Sequence, residues 1–258
     1  MKVSESRLSS FLAIKGLFVE ATFRAFSAWD LKLPLADNKR LIVTRNTVAA
    51  PSAGWLGQFV KTLNRRLDLS GNDAVLVDLV QRGWHLEDWR PVYLWHACHH
   101  DLLLWKFISE WLFEQRERGV VVTTIQAATE FVTGVALKAA LLDEWNASTR
   151  RRVATSLLRT TVEFHLMRGR ASKEFTSYRL PERSLFYMLY ALMERENNTR
   201  KVIEADDWRL FLMTSGELEE ELLRLHQFGK LRFERAGSFL ELTLPCENTE
   251  EYVRSLTL

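Results

Sequence analysis

Chain breakers are rare in this sequence: 11 Gly and 5 Pro among 258 residues, against 41 Leu. Leu is a strong helix former, whereas Gly and Pro punctuate chains that turn often. A sandwich or barrel needs many tight turns, so the predicted fold is mainly α. Apolar residues at 47% and charged residues at 26% are ordinary for a globular chain and exclude disorder as the main state. The length allows one or two domains, each with a full core.

Helical spacing dominates the first half. Leu8, Phe11, Leu12, Ile14, Leu17, Phe18 and Ala21 predict an opening helix. Pro34 and the mixed segment to Ala53 interrupt the pattern. A helix over 53–69 follows, with Leu56, Phe59, Val60, Leu63 and Leu67 on one face and Lys61, Arg65 and Arg66 on the other. Further helices are predicted near 72–82, 86–98 and 99–118, closed by Gly119. In the second half, a helix over 123–144 leads into Asn146-Ala147-Ser148-Thr149, a cluster rich in N-cap residues. The next helix, 149–165, buries Val153, Ala154, Leu157, Leu158, Thr161 and Phe164. Lys173 to Leu180 is β-prone, and a helix resumes over 182–196. Thr214-Ser215-Gly216-Glu217 is a capping-box pattern. The stretch from Leu231 to Pro245 alternates on two arms around Gly237, as a hairpin does.

The order helix, small strand pair, Leu-Pro occurs twice. Leu157-Leu158-Arg159 and Leu180-Pro181 align with Leu222-Leu223-Arg224 and Leu244-Pro245 at offsets of 65 and 64 residues. A helix closed by a hairpin is the winged-helix arrangement, a variant of helix-turn-helix. The predicted architecture is therefore a bundle-like N-terminal helical domain over 1–119 and a C-terminal helical domain over 120–258. The latter carries winged-helix-like units at about 120–183 and 205–245, with small β-hairpins.

A formal charge of +2 speaks against a protein that coats nucleic acid with its whole surface. Divided at residues 119 and 185, however, the chain carries +3, +4 and −5. Residues 147–183 hold Arg150, Arg151, Arg152, Arg159, Arg168, Arg170, Lys173, Arg179 and Arg183 against three glutamates. Arg suits bidentate contact with phosphate and guanine. At about 100° per residue, Arg152, Thr155, Ser156 and Arg159 fall opposite the apolar face. Arg150 to Arg152 stand in the first turn, where positive charge opposes the helix dipole and an anionic partner is favoured. The second unit has Glu217, Glu219, Glu220 and Glu221 on its helix and reads as a scaffold or protein-contact surface, with Lys230, Arg232 and Arg235 on its hairpin.

Other chemistries find little support. His96, Cys98, His99, His100 and Asp101 are dense in potential ligands, and His96 and His100 share a helical face, but the Glu of H-E-x-x-H is absent. No metal, cofactor or catalytic residue is assigned, and no Walker A, G-x-G-x-x-G or G-x-S-x-G motif occurs. Trp84, Trp89, Trp95, Trp105 and Trp111 fall within 28 residues. They read as core packing, with stacking on single-stranded bases the sharper alternative. Cys98 and Cys246 are too few for a disulfide framework and fit a reduced, cytoplasmic protein. The start, MKVSESRLSS, has no apolar h-region, so no signal peptide is expected. Val120 to Leu142 carries Gln126, Glu130 and Lys138 and reads as a buried helix, so no membrane partner is expected.

Several landmarks resemble the BrxA family of BREX bacteriophage-defence systems. They are Trp55 to Leu69 with Arg65-Arg66-Leu67; Asp101-Leu102-Leu103-Leu104 with Phe107; Trp145 to Arg150 leading into Leu157-Leu158; Trp208 to Leu212; and the hairpin with Arg235-Ala236-Gly237 and Leu244-Pro245. The resemblance runs over about 8–245 in diffuse helix patterns and leaves the tail after Pro245 without a reading. It implies a mostly helical, non-enzymatic protein that binds double-stranded DNA through helix-turn-helix or winged-helix elements and works with other BREX proteins. No small-molecule substrate is expected.

The DNA contacts expected are Arg150, Arg151, Arg152, Thr155 and Arg159 from the helix and Arg168, Arg170 and Lys173 from the wing. Lys61, Arg65 and Arg66 are second-rank. Two other readings stand beside this one: a protein–protein adaptor of the defence complex, and a helix-turn-helix transcription regulator.

Overall fold

The computed structural model describes residues 8–237 and 239–256. The expectation of no leader peptide was read from residues 1–10, of which 1–7 lie outside them, as does Ser238 of the predicted hairpin. The protein is mainly helical with two small antiparallel sheets. Helices α1 (Ser10–Lys15), α2 (Val19–Ser27), α3 (Leu35–Arg45), α4 (Ala53–Arg66), α5 (Val75–Gln81) and α6 (Leu86–His100) come first. A continuous helical column follows, formed by α7 (Leu102–Trp105), a π-helical segment (Lys106–Leu112) and α8 (Phe113–Glu117). Next come β1 (Val122–Thr123), α9 (Ile125–Lys138), α10 (Ala147–Glu163), β2 (Met167–Arg168) and β3 (Lys173–Phe175). Helices α11 (Glu182–Glu196) and α12 (Thr199–Ile203), a 3-10 turn (Asp206–Phe211) and α13 (Ser215–Gln227) precede β4 (Arg232–Ala236), β5 (Phe239–Thr243) and α14 (Thr249–Ser255). No described helix is long and apolar enough to cross a membrane.

Helix α6 is the axle. It is buried without a break from Trp89 to His99, so it is a core helix rather than an amphipathic one. Helices α2, α5 and α11 and the 3-10 turn pack around it. The apolar core they form is continuous from Ala13 to Val253 and crosses residue 119. Trp84, Trp89 and Trp95 are buried, and Trp105 and Trp111 pack against the same core. Trp89 Nε1 donates to the Leu76 carbonyl and Trp95 Nε1 to Asp207. These rings are therefore core, as the packing reading expects, and are not a stacking surface for bases.

A helix buried on every side must satisfy its polar residues internally. His96 Nδ1 lies 2.6 Å from Asp73 Oδ1, and its Nε2 lies 2.8 Å from the Tyr187 hydroxyl. His100 Nε2 stands 2.7 Å from the other Asp73 oxygen. Burial pushes the Asp73 carboxyl upward, but the hydrogen bonds from His100 and His96 outweigh it and hold the group well below the usual carboxylate range. The same contact with Asp73 raises His100. His99 is different. Burial, followed by the neighbouring His96, depresses it to about 4. The described residues contain no cluster suited to a metal ion.

Several segments depart from the sequence expectation. The predicted opening helix is two, because Gly16 (φ 71°) and Phe18 (φ 52°) turn left-handed between α1 and α2. Phe18 is held there by edge-on contacts with Trp55 and Phe59 at 5.2 and 5.8 Å. Helix α3 occupies the segment read as broken, since Pro34 is its N-cap rather than an interruption. Helix α9 ends at Lys138, and β1 precedes it. The tail forms α14, with Asn248 as N-cap.

Arg66 is a correction. It is 3% exposed, and its guanidinium donates to the Leu12 carbonyl (2.8 Å) and to the Gly16 carbonyl. It caps the end of α1, where carbonyls lack intrahelical partners, and cannot present itself to a ligand.

Three outcomes follow from these buried charges. Because the folded pKa of His100 is raised, its contribution is complete below about pH 6.5 and is lost as pH rises through the folded value. His99 acts in the opposite sense only below about pH 6.5. Urea unfolding should thus show stability declining as pH rises above about 6.5, and His100→Gln should flatten the decline. Asp73→Asn should cost roughly 3–5 kcal/mol, the usual effect of breaking a buried pair. Arg66→Ala should cost roughly 3 kcal/mol by orphaning two carbonyls, with only partial rescue by Lys, which lacks the planar fork.

Candidate nucleic-acid interface

Helix α10 starts at Asn146, whose side-chain oxygen accepts from Thr149 N–H at 2.9 Å and from the Ser148 hydroxyl. Its apolar side, Val153, Ala154, Leu157 and Leu158 with Thr160 and Thr161, is buried against α9 and α1. The opposite side exposes Arg151, Arg152, Thr155 and Arg159. Ser156 departs from the expected outer face. It is buried, and its hydroxyl donates to the Ile14 carbonyl of α1.

The arginines of this helix divide by what already holds them. Arg150 is half-buried and donates to the Trp145 carbonyl at 2.5 Å, which fixes the turn before the helix. Arg159 lies 3.5 Å from Glu163 and keeps a side-chain exposure of 58%. Burial, with Arg159 and Arg66 opposing, raises Glu163 above its ordinary value. Arg151 and Arg152 have no carboxylate partner among the described residues, and Thr155 Oγ1 donates to the Arg151 carbonyl at 2.8 Å. Two free cations thus stand in the first turns of a helix, where the dipole opposes them.

The three-stranded sheet sits beside this helix. Strand β3 is central, pairing antiparallel with β1 (Val122 with Glu174, Thr123 with Lys173) and with β2 (Met167 with Phe175, Arg168 with Glu174). The turn between β2 and β3 needs Gly169: its φ is 109°, and a Cβ there would meet the Ser172 carbonyl oxygen at 2.4 Å. Lys173, expected as a contact, is buried. Its ammonium donates to the Gly169 carbonyl (2.8 Å) and the Arg170 carbonyl, closing the turn from inside. Arg168 pairs with Glu174 at 3.2 Å and stays exposed. Arg170 is exposed at the tip, without a carboxylate partner among the described residues. The exposed site residues are Arg151, Arg152, Thr155 and Arg159, which lie opposite the buried side of α10, and Arg168 and Arg170 on the β2–β3 turn.

Lys61 and Arg65 are exposed on α4, and both lie against the Phe11 ring of α1. Lys61 Nζ is 5.6 Å from the centroid, Arg65 Cζ 5.1 Å, and Lys15 Nζ 5.8 Å. Lys15 was invisible as a site residue in the sequence. Only its i, i+4 spacing from Phe11 could have pointed to it, and Phe11 read as a core position.

Most charges of the acidic unit are paired, although Glu220 stays exposed. Glu217 closes the capping box with Thr214 and clasps Arg116 of α8. Glu219 pairs with Arg235, Glu221 with Arg224 and Arg179, Lys230 with Glu182, and Arg232 with Glu234. An open hollow of about 790 Å³ on the α5, α6, α11 and α14 side is lined by Trp95, His96, Tyr187 and Arg195. Its titratable floor is already satisfied, His96 by Asp73 and Arg195 by Asp207.

None of the curated proteins compared matches the chain. The family model of BrxA matches residues 9–191. That span opens at the N-cap of α1 and closes inside α11, taking in α6, the α1 contact with α4, and α10 with its sheet. It covers well over half of the sequence: the chain belongs to the BrxA family, which implies a BREX-associated function.

Proposed function

We propose that this chain is a non-enzymatic, cytoplasmic accessory protein of a BREX phage-defence system that binds double-stranded DNA. In this reading α10 enters or lines a groove, and the β2–β3 turn acts as a wing. The supporting topology is the order helical column, β1, α9, α10, β2, β3 with sheet order β1-β3-β2. We read this order as winged-helix-like, with the helix before the strand pair taken as the one that meets DNA. The observation that carries the reading is the pair Arg151 and Arg152: exposed, unpaired and placed where the helix dipole disfavours them. Phosphate at that position would turn an electrostatic cost into a gain. Thr155 and Arg159 continue the same face, and Arg168 and Arg170 reach the flanking backbone from the wing. Arg150, Lys173 and Arg66 support the fold around them.

The second unit, α12, the 3-10 turn, α13 and β4–β5, repeats the helix–hairpin order with an acidic helix that would repel phosphate. It exposes Phe228 (67%) and Phe239 (59%), which favours a protein-facing role toward other BREX components. An adaptor function for the whole chain is the second reading, and those two rings are what favour it.

Charge reversal separates the two. Arg151→Glu/Arg152→Glu should weaken binding to a 30-base-pair duplex at least tenfold near 0.1 M salt, measured by gel shift. It should also reduce the slope of log affinity against log salt by about 2, or roughly 0.9 per lost phosphate contact. Unchanged affinity and slope would remove α10 from the interface and favour the adaptor.

A further inference from the structure

Three cations converge on one phenylalanine. Lys15 from α1 and Lys61 and Arg65 from α4 all lie within 5.8 Å of the Phe11 ring centroid. The ring face attracts each of them but does not neutralise any. None has a carboxylate partner among the described residues, a trait they share with Arg151, Arg152 and Arg170 and not with Arg159, Arg168 or the cations of the β4–β5 hairpin. The helix dipole accounts for a cation in the last turn of α1 and another in the last turn of α4. It does not account for three like charges brought to one ring and left unpaired.

The position of this cluster is fixed by α1. That helix packs between α4 and α10. Arg66 ties its last carbonyls to α4, and Ser156 ties it to α10. At the α10 side the Arg159 guanidinium lies directly over Gly16, where a Cβ would stand 2.5 Å from it. Lys15 is the next residue. A chain of cations therefore runs from Arg151 and Arg152 along α10 to Arg159, across Gly16 to Lys15, and on to Lys61 and Arg65.

We infer that the Phe11 cluster is a second phosphate-binding site, which takes the backbone of the same duplex that α10 engages. It extends the interface from the winged-helix-like unit onto the N-terminal helices and so fixes the direction in which the duplex crosses the protein. The inference rests on the reading of α10 given above. The ring supplies a rigid apolar platform that keeps three flexible side chains together, so that less ordering is needed when phosphate arrives.

The test is a salt titration of a 30-base-pair duplex of arbitrary sequence with the full chain. Lys15→Gln/Lys61→Gln/Arg65→Gln should lower the slope of log affinity against log salt by 2 to 3, at roughly 0.9 per contact, and weaken binding at least tenfold near 0.1 M salt. Phe11→Leu, which keeps an apolar side chain and removes the ring, should weaken binding several-fold with a smaller change in slope. A control that neutralises the exposed Lys32, Arg40 and Lys201 should leave the slope unchanged. Unchanged slope and affinity in the cluster variant, with loss in Arg151→Glu/Arg152→Glu, would overturn the inference and leave α10 standing; an acidic protein surface would then be the occupant to seek. An equal loss in the control would also overturn it, since the effect would be net charge alone. No loss in either the cluster or the α10 variant would overturn both.

Discussion

One helix with no outward face organises this protein. Helix α6 is buried from Trp89 to His99 and yet carries Arg90, His96 and His99 within that span. A polar group buried there gains by finding a partner inside the protein, because leaving it unsatisfied costs more than a surface interaction returns. Asp73, just before α5, and Tyr187 on α11 answer that demand for His96, and Asp207 on the 3-10 turn answers it for the Trp95 indole, while the His99 ring nitrogens have no hydrogen-bond partner among the described residues. These three groups come from segments far apart in the sequence. The polar residues of α6 thereby set which elements surround it and in which register, a specificity that an all-leucine axle would not supply.

The same logic explains why charge that looks alike in the sequence divides so sharply in the fold. Arg65 and Arg66 are neighbours, and α4 turns one to solvent and the other into the protein. The inward member holds α1 against α4, and the outward member joins the cluster on Phe11. Lys173 and Arg170 make a similar pair on the β2–β3 turn, one closing it from within and one exposed at its tip. In each case a buried cation braces the element that presents an exposed one. Arg150 braces the start of α10 in the same way, beside Arg151 and Arg152. The basic character of residues 147–183 is therefore part scaffold and part surface.

Much of the helical framework is legible in the sequence because its signals are local. The N-cap at Asn146, the capping box at Thr214, the stop near Gly229 and the alternating arms of β4–β5 all depend on residues within one turn of each other. Signals that depend on remote partners are not legible. Helix α3 is hidden because Pro34 can either break a helix or begin one. The break at Gly16 and Phe18 is hidden because aromatic contacts with Trp55 and Phe59 stabilise a left-handed residue that its own side chain disfavours. Strand β1 is two residues long and exists only because β3 pairs with it.

A mainly helical chain, a basic middle segment masked by an acidic end, and a helix beginning near Asn146 with arginines in its first turns are all written locally in the residues. Periodicity and capping are short-range, and composition is independent of folding, so these needed no tertiary information. Which cations are free was settled by long-range packing. Arg66, Arg150 and Lys173 are consumed by carbonyls, while Lys15, Lys61 and Arg65 meet at a ring more than forty residues from two of them. The physical reason is that a guanidinium or ammonium has the same charge wherever it stands. Whether it is spent on the fold or left for a partner depends on which carbonyls and carboxylates the packing brings within reach.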